Sequence, residues 1–166
     1  MFKSRKGYTL IEVVVVIAMI SILLTFAFGD FSSSTYAARG SKVISDMRKI
    51  ESAINIYYQK NNIYPANKTD TLSDNSATLE SLVVGGWPTP PVGEFTIAQD
   101  GDSSDKTLTS GTISSSASYD YEPTDSTDLI NNPGHVYLTG ATISGIESDT
   151  NGYSLYNLLT GEKDDN

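Results

Sequence analysis

The sequence contains no cysteine and a single histidine, His135. The absence of cysteine excludes a disulfide scaffold, a thiolate metal site and a cysteine nucleophile. A single imidazole leaves few of the groups that histidine-based metal sites and general-base catalysis require. The sequence also lacks a phosphate-binding glycine loop and a nucleophile-elbow motif, so none of these patterns predicts an enzyme.

Basic residues are scarce in the C-terminal part of the chain. The 166 residues carry a net formal charge of −9, but residues 67–166 contain three basic and sixteen acidic side chains, whereas residues 1–66 contain eight basic and four acidic ones. A domain this acidic repels a phosphate backbone, so we expect no nucleic-acid partner for the C-terminal part. The length suffices for one domain of ordinary size plus an appendage.

The longest apolar run lies near the N-terminus. Leu10–Phe28 contains one charged side chain, Glu12, and follows three basic residues within Met1–Gly7. As a helix this run is roughly 28 Å long, which matches the hydrocarbon core of a bilayer. The basic flank predicts that the N-terminus stays in the cytoplasm. A carboxylate near the membrane interior costs roughly 2.5–3.5 kcal/mol on insertion scales, which makes Glu12 a candidate functional residue.

Three interpretations of this segment compete. A secretory signal would be cut near Ala27-Phe28-Gly29, but the run is longer than usual for such a signal, and a plain signal anchor does not explain Glu12. The third interpretation starts from Gly7-Tyr8-Thr9-Leu10-Ile11-Glu12, which strongly resembles the prepilin signature of type IV pilins and type II secretion pseudopilins. That signature is a short basic leader, a glycine, an aromatic residue and Thr-Leu-Ile-Glu at the start of a long apolar helix. Tyr8 stands where phenylalanine is commonest in the family.

The resemblance implies how the N-terminus is processed and used. A membrane prepilin peptidase would cleave between Gly7 and Tyr8 on the cytoplasmic face, and the new amino terminus of Tyr8 would be N-methylated. In the family, the glutamate of one subunit is thought to pair with the terminal amine of another, which assigns filament assembly to Glu12 and Tyr8. Pairing within one chain is the alternative, because these residues lie one helical turn apart. A pair between subunits would set their register, since a buried unpaired charge is penalised.

An amphipathic helical pattern follows the apolar run. Between Arg39 and Asn61 the apolar residues recur every three or four positions, at Val43, Met47, Ile50, Ile54 and Tyr57. The spacing places the charged residues on the other, solvent-facing sides of the helix, at Lys42, Asp46, Lys49 and Glu51.

Together the two patterns predict one long helix over residues 8–62, with a transmembrane part roughly at 10–28. Asn61-Asn62 and Pro65 predict its end. Gly29 stands where many members of the family have a helix-disrupting proline. Glycine permits the helix to melt at this point without forcing it to do so.

The rest of the chain, residues 63–166, is predicted to form a β-rich head. Thr78–Val84 reads as a short helix or turn, and five short β-type segments follow between turn residues, at Glu94–Ala98, Lys106–Ile113, Ala117–Tyr121, His135–Ile143 and Tyr153–Leu159. An antiparallel sheet packed on the distal half of the long helix gives an α+β fold. The predicted domains are therefore a leader over residues 1–7, the helix over 8–62 and the head over 63–166.

Three carboxylates in one short segment are a weak candidate for a Ca²⁺ site. Asp100, Asp102 and Asp105 are suitable ligands by type, although their spacing is not that of an EF-hand. A solvated acidic turn is the alternative. We expect no other cofactor.

The resemblance implies a structural subunit of a type IV pilus or pseudopilus, and not an enzyme. Its expected partners are identical or related pilins in a helical filament, the prepilin peptidase and an inner-membrane assembly platform. Its expected location is the bacterial inner membrane before assembly and an extracellular or periplasmic filament afterwards. A minor or tip pilin that acts as an adhesive or calcium-binding module is the alternative function.

Overall fold

The structure is a computed structural model that describes residues 7–28, 31–99, 108–123, 127–130, 133–148 and 150–161. Its helices and strands are, in chain order, α1 (Leu10–Phe28), α2 (Phe31–Asn61), α3 (Leu79–Leu82), β1 (Gly93–Ala98), β2 (Leu108–Glu122), β3 (His135–Ile143), β4 (Tyr153–Ser154) and α4 (Leu155–Thr160). The chain divides into two compact units, residues 1–35 and residues 36–166. The limits of leader, helix and head that the sequence suggests remain predictions.

The first unit contains α1 and the first residues of α2. α1 is apolar on every side, and its described side chains are all exposed. Among the residues that the structure describes, one helical stretch, within Leu10–Asn61, is long and apolar enough to cross a membrane. A helix that is apolar on every side is typical of a membrane span.

The second unit is built on a four-stranded antiparallel sheet with the strand order β1-β2-β3-β4. Residues 36–61 of α2 contribute to the same hydrophobic core as the sheet. This arrangement confirms the predicted α+β fold. α2 ends at Asn61, and Asn62 adopts the left-handed conformation with φ of 56°, as the Asn-Asn pair predicts.

One long strand replaces two of the predicted strands. Residues Leu108–Glu122 form β2 without interruption, whereas the sequence suggested separate strands at Lys106–Ile113 and Ala117–Tyr121. The serines between them occupy an irregularity in the pairing with β3, between Ile113 and Ser118, and do not form a turn. A bulge of this kind absorbs extra residues while the strand continues. Lys106 and Thr107 lie outside the described residues.

The predicted strand at Tyr153–Leu159 is wrong beyond its first two residues. Tyr153 and Ser154 pair with β3, and the chain then turns into α4. Ser154 caps this helix in a reciprocal capping box with Asn157, and Gly161 ends it in the left-handed conformation. These capping signals outweigh the apolar composition of the segment.

The apolar stripe of α2 is buried as predicted. Its members contact residues of the sheet and of the loops in one core, and each is at most 4% exposed, at Val43, Met47, Ile50, Ile54 and Tyr57.

The expected solvent-facing position of Asp46 is wrong. Its side chain is 4% exposed and is paired with the ammonium groups of Lys42 and Lys49, which are half exposed. These lysines lie at i−4 and i+3 on the same helix, so each reaches the carboxylate at the edge of the core. Glu51 is also half-buried, and this burial raises its carboxyl pKa.

α2 passes close to the sheet at Gly40. A Cβ atom on this residue would lie 1.9 Å from the carbonyl oxygen of Thr96 in β1. Next to it, Nη1 of Arg39 donates a hydrogen bond to the Glu94 carbonyl oxygen over 3.0 Å. Glycine is therefore required where the helix meets the edge strand.

Candidate functional site

The first turn of α1 is held by a capping box. Thr9 immediately precedes the helix, and its Oγ1 accepts a hydrogen bond from the Glu12 N–H over 3.4 Å. In return, the Thr9 N–H donates to Oε2 of Glu12 over 2.8 Å. This reciprocal pair satisfies two backbone donors that a helix start leaves open.

The Glu12 carboxylate uses one of its oxygens in this turn. The Thr9 hydroxyl also donates to Oε2 over 2.8 Å, so both bonds from Thr9 end on the same atom. Within the part of the chain that the structure describes, Oε1 of Glu12 accepts no hydrogen bond. A carboxylate oriented in this way has one oxygen fixed and one available to a donor from outside the chain.

Tyr8 and Gly7 precede the capped turn and are exposed. The Tyr8 side chain is 89% exposed. Among the described residues, a Cβ atom on Gly7 would meet nothing within 4 Å, so packing against them does not require glycine there.

The polar residues within the apolar helix bond to its own backbone. The Ser21 hydroxyl donates to the Ile17 carbonyl over 2.7 Å, and the Thr25 hydroxyl donates to the Ser21 carbonyl over 3.0 Å. Such bonds to the residue four positions earlier satisfy a hydroxyl that has no water nearby. Glu12 differs from these residues because it is the one charged side chain between Leu10 and Phe28.

The structure places three of the predicted site residues together, Gly7, Tyr8 and Glu12, at the start of α1. Gly29, the predicted point of helix melting, lies outside the described residues, and so do the three aspartates of the calcium prediction, Asp100, Asp102 and Asp105. Among the residues that the structure does describe, no group of three or more His, Cys, Asp or Glu side chains is arranged to hold a metal ion. The calcium site therefore stays a prediction.

Sequence reasoning missed the contribution of the Thr9 side chain. The resemblance to the prepilin signature assigns roles to Gly7, Tyr8 and Glu12 and none to Thr9, although the Thr-x-x-Glu spacing of the signature is also that of a capping box. That spacing was the available signal. The structure adds Thr9 as the residue that orients the carboxylate.

The N-terminal part of the chain matches known proteins. Residues 2–28 match the family described as the prokaryotic N-terminal methylation motif. The chain is 33% identical over 66 residues to type II secretion system core protein G of Klebsiella michiganensis, a stretch that covers 40% of this chain and 46% of that protein.

Two pilus proteins show a similar degree of likeness. The chain is 31% identical over 80 residues to the type IV major pilin protein PilE of Neisseria gonorrhoeae, which is 48% of each chain. It is 35% identical over 80 residues to a fimbrial protein of Neisseria meningitidis, which is 48% of this chain and 47% of that one. The chain therefore spans about half the length of the curated relatives it matches. No solved structure matches it.

Proposed function

We propose that the chain is a member of the family of type IV pilins and type II secretion pseudopilins, which its N-terminal part resembles, and that it polymerises through α1 as a structural subunit of a filament. The observation that carries the proposal is the position of Glu12, a single carboxylate at the start of an otherwise apolar span. A membrane anchor gains nothing from this charge, whereas a filament subunit uses it as a partner for a cation of a neighbouring copy.

Maturation comes first in the proposed sequence of events. The prepilin peptidase cleaves between Gly7 and Tyr8, removes three basic residues with the leader and leaves a new amine on Tyr8, which is then methylated. The exposure of both residues, and the open space around Gly7 among the described residues, support access by the peptidase. A methylated amine keeps its positive charge, so it remains a partner for a carboxylate.

Assembly then pairs this amine with Glu12 of an adjacent subunit. Thr9 holds Oε2 of the carboxylate in place, and Oε1 faces the incoming donor. A fixed acceptor loses less conformational entropy when it binds than a freely rotating one. The apolar side chains of α1 meet similar side chains in the filament, so they permit transfer from lipid while the ion pair sets the register.

The proposed location follows from the same segment. The basic leader keeps the N-terminus in the cytoplasm, and α1 spans the inner membrane until an assembly platform adds the subunit to a filament. The acidic C-terminal part then lies in the periplasm or outside the cell.

The replacement Glu12→Val tests the assembly step. We expect this variant to insert into the membrane as the parent does, because an apolar residue lowers the cost of insertion. We expect it to yield few or no sheared filaments, because the terminal amine loses its partner. The matched control is Val13→Ile, which changes the neighbouring side chain and leaves the charge in place. A normal filament yield from Glu12→Val would contradict the proposal.

The replacement Gly7→Leu tests maturation. We expect the mass of the intact protein to show that all seven leader residues are retained. Ser4→Ala, a change within the leader and away from the cleavage site, should be processed normally. Complete removal of the leader from Gly7→Leu would show that Gly7 is not the recognition residue.

A calcium-binding or adhesive tip subunit stays the alternative for the acidic C-terminal part. It is carried by the carboxylates of Asp100, Asp102 and Asp105. We expect calcium to raise the melting temperature if these residues bind it, and the replacement of Asp102 by asparagine to weaken that effect. A melting temperature that is unchanged across a calcium titration would remove the alternative.

A further inference from the structure

A groove of about 730 Å³ runs along the second unit between α2, β1 and α4. Apolar side chains line it, including Ile44 of α2, Ile97 of β1, Leu159 of α4 and the first residue of β2, Leu108, whose side chain is 70% exposed. We call this surface the α2–β1 groove. Exposed apolar surface in a concave site is typical of contact with another protein.

Among the residues that the structure describes, two charged side chains line the α2–β1 groove, and both are basic. They are Arg48 and Lys49, and Lys49 is already paired with Asp46. Arg48 is exposed and forms no ion pair within 4 Å and no hydrogen bond among the described residues, although Glu51 lies close enough to interact with it electrostatically. An acidic partner would therefore find Arg48 available.

The loop after α3, residues 83–86, projects an apolar side chain from a different part of the same unit. Val84 is 86% exposed, whereas Val83 beside it is buried and anchors the loop. Gly85 and Gly86 have φ of 91° and 83°, and a Cβ atom on either would meet nothing within 4 Å. We call residues 83–86 the Val84 loop, and none of them lines the α2–β1 groove.

An acidic side chain accompanies the Val84 loop. Glu80 of α3 lies four residues before Val84 in the chain, is exposed and forms no ion pair among the described residues. The loop thus offers an apolar tip and a nearby carboxylate. The groove offers an apolar floor and a guanidinium that forms no ion pair among the described residues, so the two surfaces are complementary in both respects.

We propose that the Val84 loop of one copy of this chain docks in the α2–β1 groove of the next copy, with Glu80 paired to Arg48. This proposal rests on the proposed function, because it requires that copies lie side by side in a filament. A second copy is the favoured occupant, because the chain itself carries both surfaces: an exposed apolar tip beside Glu80, and an apolar groove that presents Arg48. The ion pair would also offset part of the repulsion between copies whose residues 62–166 carry sixteen acidic and three basic side chains.

The proposed contact joins two different surfaces of the same chain. A contact of this heterologous kind leaves one unused loop and one unused groove at the ends of every oligomer that has not closed into a ring. It therefore extends into a ring or an open helical array and does not stop at a dimer. That property fits a filament subunit and gives a readout that distinguishes it from a symmetric dimer.

Cross-linking of paired cysteine variants tests the contact, because the parent contains no cysteine and gives no background. The test variant combines Val84→Cys with Ser45→Cys, a groove residue, in the full chain within cells that assemble it. Mild oxidation forms a disulfide only where the two Cα atoms lie within about 7 Å of each other. We expect a ladder of dimers, trimers and larger species on a denaturing gel.

The matched control combines Val84→Cys with Ser115→Cys, an exposed position of β2 outside the groove. We expect its cross-linked yield to be several-fold lower. Filaments that form normally but give no more cross-linking in the test variant than in the control would overturn the docking and leave the proposed function intact. Closed dimers alone, or cross-links within one chain, would also overturn it. If the parent forms no filaments, the proposed function fails and this contact with it.

A charge exchange provides a second measurement that does not depend on cysteine. Glu80→Arg and Arg48→Glu should each reduce filament yield several-fold, and the combined variant should restore it, because the pair is re-formed with its signs reversed. Misfolding of either single variant would not be repaired by the other change. The absence of any recovery in the combined variant would overturn the pairing of these two side chains.

Discussion

α1 and the distal part of α2 both contain many apolar residues, but the chain buries only those of α2. Met19 in α1 is 61% exposed, whereas Met47 in α2 is fully buried against the sheet. α1 is apolar on every side, whereas α2 presents one apolar stripe to a core that the chain itself supplies. The comparison teaches that α2 depends on this chain for its stability, and we expect α1 to depend on lipid or on other copies.

The largest expected effect comes from a matched pair of methionine truncations. Met47→Ala should lower the free energy of unfolding of the second unit by about 2–5 kcal/mol, because it removes buried atoms and leaves a cavity. Met19→Ala should leave that free energy unchanged. Denaturant unfolding of the full chain in detergent, followed by the fluorescence of Trp87, measures both. A comparable loss from Met19→Ala would show that α1 also depends on packing within the chain.

A second test adds atoms at the helix–sheet contact. Gly40→Ala should destabilise the second unit by about 1–3 kcal/mol, since the new Cβ atom overlaps the Thr96 carbonyl and α2 must move away from β1. Ser41→Ala, on the exposed neighbouring position, should change stability little. The same unfolding measurement applies. A Gly40→Ala variant as stable as the parent would mean that the contact is looser than described.

Alkaline pH should destabilise the second unit through its buried tyrosines. Burial raises the pKa of Tyr121 to about 12 and raises the pKa of Tyr119 as well, where the charge of Asp46 adds to the effect. The ordinary value in an unfolded chain is about 10. Folding therefore favours the neutral phenols, so their contribution to stability is complete below about pH 10 and is lost as the pH rises through about 12.

The measurement is the free energy of unfolding at a series of pH values from about 9 to about 12, a range that includes the ordinary tyrosine pKa of about 10. Tyr121→Phe removes one of these ionisable groups, so we expect the stability of the variant to fall less steeply with pH than that of the parent. An identical slope in parent and variant would contradict the assignment to Tyr121.

The smallest expected effect is at the start of α1. Thr9→Ala should weaken the first turn by about 1 kcal/mol, because it removes the cap, and Thr9→Ser should restore it. Hydrogen exchange of the Glu12 and Val13 amides in micelles measures the change, while the stability of the second unit should stay constant. Equal protection in Thr9→Ala and the parent would show that Thr9 does not hold this turn.

The sequence predicted the features that depend on periodicity and length. The apolar run of α1, the buried stripe of α2 and the sheet containing β1 and β3 each follow from patterns that burial imposes directly. The α+β fold class was correct for the same reason.

Features that depend on competing local signals were missed. The bulge in β2 resembles a turn in composition, and the capping box of α4 lies in a segment that is apolar enough for a strand. The pattern of apolar and charged residues predicts a solvent-exposed Asp46, because it treats every charged residue as exposed. In the structure, the lysines at i−4 and i+3 pair with the carboxylate, and this pairing permits its burial. At the candidate site, the pattern identified Glu12, while the use of one carboxylate oxygen by Thr9 required atomic positions.

Every residue of the hydrophobic core lies between Val43 and Leu158, within the second unit. A recombinant fragment comprising residues 36–166 would retain all of those residues and omit the apolar helix α1. Such a fragment is a practical reagent for raising antibodies, for calorimetry and for crystallisation trials.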